Sequence, residues 1–113
     1  MNPFDLFITQ ISWGSGRKSR PVLVIQININ NVLVYPITSQ YENKSKTIQS
    51  NYFKINDWSA AGLNKQSYVD TGILIELPLI VIDKRQPIGK LTITDKQRFL
   101  DFINEKNETL GQH

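Results

Sequence analysis

Three apolar runs, separated by turn-forming residues, dominate the first forty positions of the chain. Leu6 to Trp13 mixes β-branched and aromatic residues and stops at Gly14-Ser15-Gly16, which predicts a strand that enters a turn. Pro21 to Ile29 and Val32 to Ser39 predict two further strands, joined by Asn30-Asn31, a pair that tolerates the positive φ angles of a tight hairpin. Because both runs are almost continuously apolar, we expect these two strands to be buried on both faces.

The second half of the chain alternates shorter apolar runs with polar segments. In order, the pattern predicts a loop over Tyr41 to Ile48, a half-exposed strand over Asn51 to Asn56, a helical turn over Asp57 to Gly62, a strand over Tyr68 to Leu77 that ends at Pro78, an extended segment over Leu79 to Asp83 and a short strand over Ile88 to Thr92.

A single amphipathic helix is predicted near the end of the chain. Thr94 is the expected N-cap, Asp95 lies in the first turn, and Gln97 follows the cap by three residues. Apolar residues then recur at helical spacing up to an expected end near Lys106, at Phe99, Leu100, Phe102 and Ile103. Six or more short strands and one helix predict a mainly β protein of the α+β class, with a small curled antiparallel sheet or SH3-like open barrel and the C-terminal helix packed on it.

Length and composition indicate one domain. The 113 residues suffice for a single hydrophobic core, so we expect one domain over residues 1–113, with a frayed tail over 107–113. The apolar runs are far shorter than the ~20 residues that cross a bilayer. No secretory signal is visible at Met1-Asn2-Pro3-Phe4-Asp5. These features predict a cytoplasmic protein that does not enter the membrane.

The residues that most often hold metals or act as bases are scarce in this chain. It has no cysteine, which excludes disulfides, thiolate nucleophiles and zinc sites with sulfur ligands. The only histidine is His113, the last residue, so a histidine base within the body of the fold is not expected. The glycines form no phosphate-cradling fingerprint. We therefore predict neither a metal nor a cofactor.

Positive charge is concentrated in the first half of the chain, although the net charge is only +3. Between Leu6 and Asn56 the one acidic residue is Glu42, and the basic residues are Arg17, Lys18, Arg20, Lys44, Lys46 and Lys54. Such a face either attracts polyanions through counterion release or serves only to keep the protein soluble. Charge alone does not choose between these interpretations.

Polar residues with phosphate-binding chemistry flank two of the predicted strands. Arg20 stands beside Pro21 at the start of one strand, and Thr38 and Ser39 leave the end of the next. A proline-fixed backbone places the guanidinium rigidly, and the hydroxyls offer hydrogen bonds nearby. The pair predicts a phosphate site. The alternatives are an ordinary turn arginine, exposed or paired with an acid such as Asp70, and a hydroxyl that only caps a loop.

The order and spacing of three segments resemble the MazF/PemK family of bacterial toxins, which cleave single-stranded RNA. The segments are Arg20-Pro21-Val22-Leu23-Val24-Ile25, Tyr35-Pro36-Ile37-Thr38-Ser39-Gln40 and Ser67-Tyr68-Val69-Asp70-Thr71-Gly72, followed by a Phe-rich closing helix. The resemblance spans roughly residues 5 to 104. It implies a toxin of a type II toxin-antitoxin system, a homodimer that binds RNA in a groove for which a cognate antitoxin competes.

The resemblance also implies roles for three residues. Arg20 would stabilise the transition state and donate a proton, Thr38 would contact the phosphate or relay a proton, and Asp70 would orient the guanidinium or accept the attacking proton. An aspartate is a poor base at neutral pH, and a neighbouring arginine makes it poorer, which favours the orienting role over the catalytic base. Attack by the RNA 2′-hydroxyl would need no metal and would leave a 2′,3′-cyclic phosphate and a 5′-hydroxyl.

Five further residues are candidates for RNA binding. Ser39 and Gln40 accompany Thr38 in the family motif. Tyr68 stands where some members carry a second functional arginine, so it either stacks on a base or belongs to the half-buried core. Arg17 and Lys18 lie in the segment from Gly14 to Ser19, which is predicted to be either a mobile phosphate clamp or a solvated hairpin tip.

The sequence also departs from the family. The Gly14–Ser19 loop is shorter than usual and lacks the acidic or histidine residue found there, so the general base is not assigned. Together with Tyr68, this keeps a second hypothesis open: a toxin or binding module of the same fold that binds gyrase or RNA without cleavage.

Overall fold

Three long strands at the centre of the sheet arise from the three apolar runs. The computed structural model describes residues 1–13 and 16–111 and forms β1 over Asp5–Trp13, β2 over Gly16–Ile27 and β3 over Asn31–Thr38. β2 pairs antiparallel with β1 on one side and with β3 on the other. The three predicted strands are confirmed, and Gly14 and Ser15 of the predicted turn lie outside the described residues.

Four shorter strands complete the sheet. β4 spans Tyr52–Ile55, β5 spans Ser67–Asp70, β6 spans Ile75–Pro78 and β7 spans Gly89–Lys90. The strand order is β4-β5-β3-β2-β1-β7, and β6 pairs with the first half of β3. The end of β3 pairs instead with β5, through Ile37↔Val69 and Thr38↔Tyr68. Because β3 changes partner along its length, the sheet curls into an antiparallel half-barrel, as predicted.

The predicted strand over Tyr68 to Leu77 is divided in two. A turn follows Asp70, where the Thr71 N–H donates to the Asn51 carbonyl at 2.9 Å and the Thr71 hydroxyl donates to the same oxygen at 2.7 Å. These bonds tie the chain to the start of β4, so it leaves β5 before it can extend further. β6 then pairs with a different part of β3.

Two short helices lie where sequence indicated a loop and an extended segment. α1 spans Lys46–Gln49, and the Ser45 hydroxyl caps it by accepting from the Ile48 N–H at 3.2 Å. α2 spans Leu79–Ile82. The prediction of an extended segment there was wrong: α2 buries Ile82 in the core, and the Asp83 N–H donates to the Leu79 carbonyl at 2.9 Å. Tertiary packing outweighs the strand preference of this β-branched run.

The long C-terminal helix, α3, spans Ile93–Gly111. It begins earlier than predicted, because Thr92 rather than Thr94 supplies the cap: the Thr92 hydroxyl accepts from the Asp95 N–H at 3.2 Å. It also continues past Lys106, so residues 107–111 of the tail expected to fray are helical, whereas His113 lies outside the described residues. Within the described part of the chain, no helix is long and apolar enough to cross a membrane.

The core consists of two clusters, one on each face of the central strands. On β2, Leu23 packs into the cluster beneath α3, whereas Val22 and Val24 pack into the other. The expectation of burial on both faces is confirmed for this part of the strand. It fails at the end of the predicted strand, where Gln26 and Ile29 are exposed.

The hairpin between β2 and β3 does not use the expected positive φ angles. Among the described residues, Phe4 is the only residue other than glycine with a positive φ. The connection spans residues 28–30 and is closed by the Asn28 N–H, which donates to the Asn31 carbonyl at 2.9 Å. Because this connection is longer than two residues, the chain reverses without the left-handed conformation that tighter hairpin turns need.

Gly62 allows the turn after β4 to approach β7 closely. Its φ is +95°, and a methyl group on its Cα would overlap the Ile88 carbonyl. We expect Gly62→Ala to destabilise the fold by about 1–3 kcal/mol, through backbone strain and steric overlap. Urea unfolding measures this loss. Gly72→Ala is the matched control, because its added methyl would meet only side-chain atoms; an equal loss in both variants would contradict the expectation.

Candidate active site

Arg20 and Thr38 come together from adjacent strands. Val22 of β2 stands opposite Pro36 of β3, and the same register continued by two residues sets Arg20 opposite Thr38. Both residues line two cavities, and Gln40 is the third residue shared by the two. These three residues therefore form a wall shared by the two cavities. We name each cavity after one of its other lining residues, the Asp70 cavity and the Ser67 cavity.

The Asp70 cavity has a volume of about 320 Å³ and combines ionisable groups with apolar walls. Beyond the shared wall it is lined by Lys44, Tyr52 and Asp70, and by the apolar residues Ile11, Pro36, Ile73 and Ile75. Such a mixture suits a ligand with a flat apolar part and a charged part. Lys44 was recognised in the sequence only as part of the basic half of the chain.

The Ser67 cavity, of about 360 Å³, lies on the other side of the wall. Lys18 and Ser39 line it, together with Ser67, Asn64 and Lys65. Ser39 was predicted as a companion of Thr38, whereas the segment before β5 was not singled out in the sequence. Two lysines give this cavity a positive wall.

The Thr38 hydroxyl also has a local role. It accepts a hydrogen bond from the Gln40 N–H at 3.1 Å, and the residue is buried, with 9% of its surface exposed. The loop-capping alternative is thus present in the structure. Because a hydroxyl has one donor and two acceptor sites, this bond leaves it able to donate towards either cavity.

Asp70 and Tyr52 line the Asp70 cavity side by side. The two residues are cross-strand partners in β5 and β4. The Asp70 Oδ1 atom accepts from the Gly72 N–H at 2.9 Å, which fixes the carboxylate at the start of the turn after β5. Arg20 lines the same cavity, so the residue predicted to orient the guanidinium shares a cavity with it.

Tyr52 is a cavity residue that the sequence did not reveal. It is half-buried at the start of β4, and the charges of Asp70 and Arg20 act on its hydroxyl. Burial raises the pKa of its hydroxyl above the ordinary value, the negative charge of Asp70 raises that pKa further, and the positive charge of Arg20 opposes the rise. The phenol therefore keeps its proton at neutral pH.

Three tyrosines pack together beside the Asp70 cavity. The Tyr68 ring stacks on the Tyr41 ring with centroids 4.6 Å apart and planes 17° apart, and Tyr52 lies 6.2 Å from each. One face of Tyr68 is thus covered by another ring. Tyr68 lines neither cavity, and its proposed stacking on a base would have to use the remaining surface of this half-buried residue.

Arg17 and Lys18 lie on a strand rather than in a mobile loop. Both belong to β2, where they pair with Ser12 and Ile11 of β1. The predicted clamp over Gly14 to Ser19 is therefore wrong for residues 16 to 19, because pairing with β1 holds their backbone in the sheet. Lys18 lines the Ser67 cavity, and Arg17 is exposed outside both cavities.

α3 is tied to the turn beside Asp70 through Lys106. The Lys106 Nζ atom donates to Asn51 Oδ1 at 2.5 Å and to Thr71 Oγ1 at 2.9 Å. Burial lowers the pKa of this amine, and the negative charge of Asp70 partly restores it. The C-terminal helix therefore fixes the position of the turn that follows β5. Within residues 1–13 and 16–111, no three histidine, cysteine, aspartate or glutamate side chains form a metal-binding group.

Two solved structures share this fold. "Mycobacterium tuberculosis toxin MazF-mt6" superposes with a TM-score of 0.68 and 21% identity, over 92% of this chain and 96% of that chain. "Crystal structure of Mtb toxin" gives 0.59 and 22%, over 76% and 90% respectively. The chain therefore has the fold of a MazF toxin, which supports the resemblance found in the sequence. No family model and no curated protein matches the chain.

Proposed function

We propose that the chain is the toxin of a type II toxin-antitoxin system and cleaves single-stranded RNA as a metal-independent, sequence-specific endoribonuclease. One observation carries the proposal: Arg20 and Thr38 form the wall shared by two cavities. A phosphate held at this wall would place the nucleotides on its two sides in different cavities. A single-stranded substrate can enter in this way because its bases are unpaired.

The chemistry follows from the charge on the wall. The 2′-hydroxyl gives up its proton to water as its oxygen attacks the adjacent phosphorus. The bond from phosphorus to the 5′-oxygen breaks, and the 5′-oxygen takes a proton from water to become the 5′-hydroxyl. Arg20 faces the phosphate and stabilises the negative charge that develops on it. Its planar guanidinium remains protonated and donates to two phosphate oxygens at once. Thr38 donates a further hydrogen bond, and Asp70 holds a negative charge in the same cavity that favours one orientation of the guanidinium.

The partners are proposed on the same basis. Fold similarity to proteins named as toxins supports a cognate antitoxin, a homodimer and action in the cytoplasm. The basic first half of the chain supports binding of RNA and of an acidic antitoxin segment. Lys18, Ser39 and Gln40 line the proposed RNA-binding surface directly, whereas Arg17 contributes charge at its edge.

The ends of the RNA products test the mechanism. Purified chain in EDTA is expected to cut a long mixed-sequence RNA at defined sites and to leave 2′,3′-cyclic phosphate and 5′-hydroxyl ends, because the nucleophile is the RNA's own 2′-hydroxyl. End-labelling and mass spectrometry identify these groups. A DNA strand of the same sequence is the control, which should bind without being cut. Products with a 5′-phosphate, or cleavage of the DNA, would contradict the mechanism.

A non-catalytic toxin or binding module of the same fold is the second candidate. One observation favours it: one face of Tyr68 is covered by Tyr41, which limits the stacking of Tyr68 on a base. Such a protein would bind RNA, or gyrase, and leave the RNA intact. Binding of either partner by a chain that cuts no RNA in the product assay would select this candidate.

A further inference from the structure

Tyr52 is the cavity residue to which the proposed mechanism gives no task. It begins β4, and the alternation of that strand places Phe53 and Ile55 in the core and Tyr52 on the other face. There it lines the Asp70 cavity with Arg20 and Thr38. A phosphate held at the shared wall on this side would therefore lie in a cavity that Tyr52 also lines.

The Tyr52 ring is held rather than free to rotate. It packs at 6.2 Å between centroids against both Tyr41 and Tyr68, and its backbone pairs with Asp70. Its hydroxyl makes no hydrogen bond with any residue that the structure describes. A ring that packs against two neighbours in the lining of a cavity is preorganised for a ligand, since little side-chain entropy is lost on binding.

The protonation state of Tyr52 decides what the hydroxyl can do. Burial and the charge of Asp70 both raise its pKa, and the opposing effect of Arg20 is smaller. A phenol that keeps its proton donates a hydrogen bond and cannot serve as the base that removes the 2′-proton. Its natural partner in this cavity is a phosphate oxygen, which accepts hydrogen bonds from several donors at once.

We propose that the Tyr52 hydroxyl donates a hydrogen bond to a non-bridging oxygen of the scissile RNA phosphate, on the same phosphate as Arg20. The inference rests on the proposed ribonuclease function and adds a substrate-contacting residue to it. Arg20 supplies positive charge, and Tyr52 supplies a neutral, fixed donor. The hydrogen bond strengthens as charge builds on the phosphorane, so its effect falls on the chemical step more than on RNA binding.

Tyr52→Phe tests this assignment because it removes only the hydroxyl and keeps the ring. We expect kcat for cleavage of a short RNA oligonucleotide to fall about 10- to 100-fold, with KM changed less than about threefold. Tyr41→Phe is the matched control: it removes a hydroxyl from the same tyrosine cluster, at a residue that lines neither cavity, and should change kcat less than about twofold.

The outcomes separate this proposal from the function on which it rests. If the unaltered chain cuts RNA, Arg20→Ala does not, and Tyr52→Phe equals the unaltered chain, the assignment is overturned and the ribonuclease stands. If the unaltered chain cuts no RNA, both fall. Thermal unfolding of each variant completes the test, because a Tyr52→Phe protein that loses activity together with its folded state would show that the hydroxyl is structural.

Discussion

Arg20→Ala is expected to lower kcat for RNA cleavage by roughly 10³-fold or more, the largest effect of any substitution in this chain. Arg20 is the only arginine on the wall shared by the two cavities in the described part of the protein, at the point where β2 and β3 meet. Its removal leaves the phosphorane without a delocalised cation. Single-turnover cleavage of a labelled oligonucleotide, with variant in excess over RNA, measures the chemical step directly.

Two controls isolate the cause of this loss. Arg20→Lys keeps the charge but loses the planar two-point contact, so it should remain about 10²-fold below the unaltered chain. Arg85→Ala removes the same charge from a residue that lines neither cavity and should retain most of the activity. Its Nη1 atom donates to the carbonyl of Ile8, a lining residue of the Ser67 cavity, at 2.8 Å. An Arg20→Ala protein as active as Arg85→Ala would refute the assignment.

Phe99→Ala is expected to destabilise the fold by about 3–5 kcal/mol, the largest effect on stability. Phe99 on α3 is only 2% exposed. Its ring meets Phe53 edge-on at 5.2 Å, Phe4 at 6.2 Å and Tyr35 at 6.3 Å, between centroids. Truncation leaves a cavity between the sheet and the helix and removes all three aromatic contacts at once.

Guanidinium unfolding measures this loss as a lower midpoint with an unchanged slope. Leu100→Ala is the matched control, because Leu100 is the next residue on the same helix and is 38% exposed. It should cost less than about 1 kcal/mol, since much of the side chain already contacts water. Equal costs for the two variants would mean that α3 does not pack on the sheet through Phe99.

The elements that the sequence predicted best are those with a long, uniform apolar pattern. β1, β2, β3 and α3 all formed, because runs such as Leu6 to Trp13 have one dominant period and enough apolar surface to be buried. Arg20 and Thr38 came together because β2 and β3 are neighbouring strands, and the register that pairs Val22 with Pro36, continued by two residues, sets them opposite each other. Their pairing could therefore be predicted from the motif order.

The errors lie where packing between distant segments decides the structure. Leu79 to Ile82 has strand propensity but forms α2, because one helical turn brings Ile82 into the core. Arg17 and Lys18 look like loop residues beside glycine, yet pairing with β1 extends β2 through them. Tyr52 could have been found from the alternation of β4, which sets it opposite the core residues Phe53 and Ile55, but not its position beside Arg20.

The change of partners along β3 also orders the events of folding. β1, β2 and β3 are neighbours in sequence, so their pairing closes short loops, whereas Ile37↔Val69 and Thr38↔Tyr68 join distant parts of the chain. Distant pairings carry the larger loop-closure entropy and form later. A nascent chain that has formed only the first three strands therefore already holds Arg20 in β2. Tyr52 and Asp70 do not yet line a cavity beside it. The proposed ribonuclease activity would therefore begin only after β4 and β5 have formed, once synthesis has passed Asp70.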